Sequence, residues 1–101
     1  MVRKLSLVIL IFFYTQLGAL MTKDFLLYVG DTCPYCKRVT DFMKEHAILI
    51  PVIDIWKNEK AAQELRELTG KGQVPCLRIG KDECMHESLD IIEYLKKQFI
   101  S

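Results

Sequence analysis

A chain of 101 residues is one small domain with a modest core. Half of its residues are hydrophobic and only five are glycine, which excludes a disordered chain and predicts a folded one. The formal charge is +1 with acidic and basic residues interspersed, so the basic stripe of a nucleic-acid binder is excluded.

The chain opens with Arg3 and Lys4 ahead of an apolar run from Leu5 to Tyr14. A basic pair before such a run is the pattern of a secretory signal, although Leu17-Gly18-Ala19 supplies small residues at only one end of a cleavage site. As a membrane span, Leu5 to Met21 falls at the short end of the roughly 17–25 residues needed. The positive pair would then keep the N-terminus in the cytoplasm and place the domain outside. Met21, four residues before the first predicted strand, offers a competing start. Residues 1–21 are therefore an apolar N-terminal segment, either signal or anchor or upstream of the true start, and residues 22–101 are the folded domain. The first alternative predicts an anchored or exported protein with membrane contact through residues 5–21; the second predicts a cytoplasmic one.

Phe25–Val29 reads as a buried strand ended by the turn pair Gly30-Asp31. A helix follows from Cys33 to about His46, with Pro34 at its first position and Val39, Phe42 and Met43 toward the sheet. Ile48–Ile55 is rich in β-branched residues and reads as a second strand, with Pro51 marking an edge or a bulge. Asn58 is the N-cap of a second helix whose apolar stripe is Ala61, Ala62, Leu65 and Leu68, and Gly70 ends it. Val74–Ile79 is the third strand, and Gly80-Lys81-Asp82 turns into a short fourth around Glu83–Met85. Glu87-Ser88 opens the last helix, with Leu89, Ile92, Leu95 and Phe99 on one face. The order β-α-β-α-β-β-α predicts a small α/β sandwich.

Four cysteines, Cys33, Cys36, Cys76 and Cys84, are too few and too irregular for a secreted disulfide framework. Structural zinc is disfavoured, since Cys76 and Cys84 do not make a second knuckle to match Cys33-Pro34-Tyr35-Cys36; no metal is predicted. A C-x-x-C between a strand and a helix instead points to thiol–disulfide chemistry. With Pro34 at the first helical position, Cys33 is the N-cap and its sulfur faces the amides of Tyr35 and Cys36. Those amides and the helix dipole favour thiolate over thiol, the dipole by up to ~2 kcal/mol. Lys37 and Arg38 add to this and Asp31 opposes it. Cys33 is thus the expected nucleophile and Cys36, a turn deeper, the resolving thiol, together a redox-active disulfide pair.

Cys-Pro-Tyr-Cys resembles the active-site motif of dithiol glutaredoxins. The likeness continues through Gln73-Val74-Pro75 and Met85-His86-Glu87-Ser88-Leu89-Asp90-Ile91-Ile92, where it is strongest to the N-terminal domain of glutathione-transferase-like glutaredoxins. It covers Phe25 to about Lys97. The resemblance implies a thioredoxin-like fold with a four-stranded mixed sheet, and glutathione as co-substrate. It implies a cis proline at Pro75, with the Val74 backbone pairing with the cysteinyl part of glutathione like an added strand. Glu87 and Ser88 would hold the γ-glutamyl end, Ser88 and the helix amides taking the carboxylate and Glu87 the ammonium. Tyr35 and Gln73 complete the implied glutathione-binding set.

Three features depart from the wider family: Gly30 stands where a lysine is common, Gln73 where a threonine is, and the usual Gly-Gly before the last helix is absent. The helical second domain of the transferase-like branch is not within these residues. The activity implied is reduction of protein disulfides and protein–glutathione mixed disulfides, so the expected partners are glutathione and disulfide-containing or glutathionylated proteins. The alternatives are a glutathione-bridged iron–sulfur carrier, which Pro34-Tyr35 disfavours, and a glutathione-binding module without turnover. Of the remaining residues, Cys76 is expected to be a small buried hydrophobe or a third redox thiol. Cys84 is expected near a turn, open to glutathionylation or dimer formation. His46 reads as a favourable charge at a helix end, and Trp56 as core or a loop lid.

Overall fold

The computed structural model describes residues 24–100. The apolar segment 1–21, and with it the choice between a leader and an upstream start, lies outside the described residues. Among the described residues, no helix is long and apolar enough to cross a membrane. The elements are β1 (Phe25–Val29), α1 (Pro34–Glu45), β2 (Val52–Asp54), α2 (Glu59–Thr69), β3 (Cys76–Ile79), β4 (Glu83–Met85) and α3 (Ser88–Phe99). Their order is the expected one. The sheet runs β2-β1-β3-β4, with β1 parallel to β2 and antiparallel to β3, and β3 antiparallel to β4.

The period-two alternation of a strand divides the core into two. Leu27 of β1 pairs with Leu77 of β3, and both face a cluster formed with Val39 and Met43 of α1 and Ile91 and Leu95 of α3. Their neighbours Tyr28 and Cys76, also paired, face the other way onto Ala61, Ala62 and Leu65 of α2. All four strand residues are completely buried. Burying a side chain such as Leu27 or Leu65 contributes about 1.5–3 kcal/mol each. The Tyr28 hydroxyl, which burial would otherwise leave unpaired, accepts a hydrogen bond from Arg78 at 3.3 Å.

Local signals place the helix ends. Asn58 Oδ1 accepts from the Ala61 amide at 3.0 Å, which caps α2 as expected. Gly70 closes the same helix at φ +81°, its amide donating to Arg66 O at 2.7 Å, a conformation that suits a residue without Cβ. α1 ends at Glu45, and His46 is its C-cap, packed against the Phe42 ring at 4.5 Å.

Three expectations shift. The second strand is only Val52–Asp54, because Pro51 has no amide to donate to the ladder. The Pro51 carbonyl still accepts from Leu27 at 2.9 Å, and Ile48 and Ile50 enter the first core cluster from irregular backbone. β2 is an edge strand, as the proline indicated. The third strand begins at Cys76 rather than Val74, after another proline. The buried stripe of α3 is Ser88, Ile91 and Leu95, while Leu89 is 64% exposed and Phe99 45% exposed. Glu87 is the N-cap, so the helix starts with Ser88 turned inward and the apolar face rotates away from Leu89.

Candidate active site

The loop between β1 and α1 is short and tightly bonded. The Cys33 amide donates to Gly30 O at 3.2 Å, and the Lys37 amide closes the first helical turn onto Cys33 O at 3.1 Å. Cys33 therefore sits at the N-cap in extended conformation, with Pro34 inside the first turn where a missing N–H costs nothing. Its sulfur accepts the Cys36 amide at 3.3 Å. This is the capping bond expected from the sequence, with Sγ in the role usually taken by oxygen. The amide donor and the positive end of a twelve-residue helix both face that sulfur.

Cys36 is placed for the opposite state. It is 3% exposed, and burial pushes its thiol up to about 12, with the hydrogen bond to Cys33 as the next cause and the Cys33 and Asp54 charges acting the same way. The Gly30 amide, which donates to Cys36 Sγ at 3.4 Å, opposes the shift and is outweighed. The site thus holds one half-exposed sulfur at the helix N-terminus and one buried sulfur that keeps its proton. All four cysteines are free thiols.

The charges flanking Cys33 are partly engaged with each other. Lys37 reaches along the helix to Asp41 at 2.8 Å, and Arg38 lies over the Tyr35 ring at 5.6 Å. Asp31 is paired with Lys57 at 3.4 Å, which weakens the opposition it was expected to offer.

Trp56 is neither core nor a lid over the thiols. It is 56% exposed and lies against Gly30, where a Cβ would meet the indole at 2.6 Å. The departure at position 30 and the lone tryptophan are therefore one feature: the ring occupies the space in which a longer side chain would begin.

Two clefts adjoin the thiols. One, of about 490 Å³, runs from Gly30 and Cys33 past Lys37 to Lys44 and Asp54. The other, of about 410 Å³, brings Tyr35, Gln73 and Pro75 together with Glu87 and Ser88. That volume lies within the ~300–1,000 Å³ of small-molecule sites. Val74, between Gln73 and Pro75 in the chain, links this cleft to Cys33, its carbonyl accepting from Cys33 Sγ at 3.9 Å, and the Val74–Pro75 peptide bond is cis. Of the residues named from the sequence, Tyr35, Gln73, Pro75, Glu87 and Ser88 thus line one cleft, and Val74, within the same loop as two of them, lies against Cys33. Arg38, His86 and Asp90 also line the second cleft and were assigned no binding role. Arg38 follows Tyr35 by three residues, the spacing of one helix face, and that was the available signal.

This four-stranded α/β fold, with a dithiol at the N-terminus of its first helix, is of the thioredoxin-like class. The family model for Glutaredoxin matches residues 20–84, and the chain belongs to the glutaredoxin family. Among solved structures it is similar to a glutaredoxin from Archaeoglobus fulgidus, at 27% identity and a TM-score of 0.61, covering 79% of this chain and 89% of that one. It is also similar to glutathione transferase Omega 3C from Trametes versicolor, at 30% identity and a TM-score of 0.62, covering 77% of this chain and 33% of that one. Human glutathione transferase theta-2, in complex with glutathione, shares the fold at 21% identity and a TM-score of 0.63, over 74% of this chain and 31% of that one. The chain spans about a third of the length of these transferases. No curated protein matches the sequence.

Proposed function

We propose that the protein is a glutathione-dependent thiol–disulfide oxidoreductase that reduces protein–glutathione mixed disulfides and protein disulfides. The observation that carries this reading is the adjacency of Cys33 to the cleft formed by Tyr35, Gln73, Pro75, Glu87 and Ser88. Glutathione carries an ammonium, two carboxylates and a central thiol. Glu87 makes no side-chain capping bond, so its carboxylate can meet the ammonium, while the α3 amides beside Ser88 suit the neighbouring carboxylate. The backbone of Val74, against Cys33, pairs with the cysteinyl unit in this reading.

The Cys33 thiolate attacks the glutathionyl sulfur of a mixed disulfide, and the protein substrate leaves as a thiol. A second glutathione then attacks Cys33–S–SG, restoring Cys33 and releasing glutathione disulfide. On a protein disulfide, Cys36 attacks the sulfur of Cys33 in the intermediate, and the pair leaves as a disulfide that two glutathiones reduce. The family likeness and the glutathione-bound neighbour support glutathione as the reductant. The test is reduction of a small glutathione mixed disulfide, coupled to glutathione reductase. Cys33→Ser is expected to abolish turnover and Cys36→Ser to retain it; turnover by Cys33→Ser would overturn the assignment.

A further inference from the structure

Cys76 and Cys84 take no part in the mechanism above, yet they share one face of the sheet. β3 and β4 pair with Arg78 opposite Cys84, and Cys76, two residues from Arg78, points to that same side. Both belong to the cluster packed under α2, Cys76 fully buried and Cys84 half-buried at the sheet edge. They are diagonal neighbours across the hairpin, near enough that the Cys84 charge acts on the Cys76 thiol.

Each is tied to the glutathione cleft by a very short length of chain. Cys76 directly follows Pro75, and Cys84 precedes His86 and Glu87 by two and three residues. All three of those neighbours line the cleft. A bond between the two sulfurs would therefore link its two walls from behind.

We propose that Cys76 and Cys84 form a second dithiol, which glutathione disulfide oxidises to a cross-strand disulfide, and that closing it distorts the adjoining cleft and slows turnover at Cys33. The effect on turnover rests on the function proposed above; formation of the bond does not. Cys84, the more accessible sulfur, attacks glutathione disulfide as a thiolate, forming Cys84–S–SG and expelling one glutathione. Cys76 loses its proton and attacks the Cys84 sulfur, the mixed disulfide breaks, and the second glutathione leaves as a thiol. Two protein thiols are oxidised and one glutathione disulfide is reduced to two glutathiones.

Two features give this step its character. Diagonal neighbours stand roughly 7–8 Å apart at Cα, about an ångström beyond the usual span of a disulfide, so β4 must shift to close it. β4 is a three-residue edge strand with one partner, which leaves it free to do so. Burial, and next the charge of Cys84, push the Cys76 thiol up to about 12, so the second displacement is slow.

The test separates the bond from its effect. The full chain carrying Cys33→Ser and Cys36→Ser is incubated with excess glutathione disulfide, and its peptides are mapped by mass spectrometry. The expected product is a Cys76–Cys84 cross-link, lighter than the reduced pair by two hydrogens. A stable glutathione adduct on Cys84 with Cys76 still a free thiol, or two unmodified thiols, would overturn the proposal. In a second arm the wild-type chain is oxidised in the same way, and its active-site disulfide is then re-reduced by the assay glutathione. Its initial rate is expected to fall about tenfold, since an ångström of misplacement in a positioned site costs up to ~10²-fold. Cys84→Ser is expected to keep its rate through the same treatment. A cross-linked chain with an undiminished rate would refute the coupling, whereas a wild type inactive from the outset would refute the proposed function instead.

Discussion

Once Cys33 carries a glutathionyl group, its displacement by Cys36 requires the Cys36 thiolate, and the structure holds that thiol up to about 12 against an ordinary value of 9.0. A rise of about three pH units lowers the thiolate fraction near neutrality ~10³-fold. A more basic thiolate is also a better nucleophile, with a Brønsted coefficient of about 0.4–0.5, which restores ~20-fold. The intramolecular step is thus expected to run ~50-fold slower near neutrality than for an unburied thiol in the same place. That figure is an upper bound, because the Cys33 contributions vanish when its sulfur is in a disulfide. Burial and the Asp54 charge then remain, opposed by the Gly30 amide. Purified Cys33–glutathione mixed disulfide, followed by quenched flow and mass spectrometry, gives the rate directly. It is expected to climb close to tenfold per pH unit from about pH 6 to about pH 9. Asp54→Asn should move the whole line upward, since removing that charge lowers the raised value. A plateau reached below about pH 8 would refute the reasoning.

Three further outcomes follow from the packing. Cys36 and Cys76 are both pushed up to about 12 by burial, so between about pH 9 and about pH 12 the folded chain keeps protons the unfolded chain has lost. Each contributes stability that is complete below about pH 9 and lost as pH rises through that window; urea midpoints should fall across it, and less steeply in Cys76→Val. An equal slope in that variant would count against the burial argument. Gly30→Ala should push the indole off the β1 end and red-shift the emission of the only tryptophan with far-UV circular dichroism unchanged; an unaltered emission spectrum would show that the two do not touch. Asn58→Ala should cost ~1 kcal/mol by urea unfolding and Asn58→Asp almost nothing, because only a side-chain oxygen is needed to cap α2. Equal losses in the two would place the effect elsewhere.

What the sequence determined by itself was whatever depends on a few adjacent residues. Cys33 as an N-cap, Pro34 in the first turn, Asn58 and Gly70 at the ends of α2, and the order of the elements all follow from local spacing and backbone preference. The placement of Cys33 at the helix start and of Cys36 within its first turn was legible for the same reason: they lie within one helical turn. Tertiary structure decided what depends on which surfaces meet. The face of α3 was set by Ser88 turning inward, because packing against α1 and the sheet outweighs a stripe that could be drawn through Leu89. Pro51 shortened β2 although Ile48 and Ile50 are buried, since burial needs only a core to enter whereas a strand needs donors. Trp56 filling the space beside Gly30 joins positions 26 residues apart, and the Cys76–Cys84 pairing exists only through the β3–β4 register. Contacts of that kind carry no signature in local spacing, because folding brings the partners together only after each segment has taken its shape.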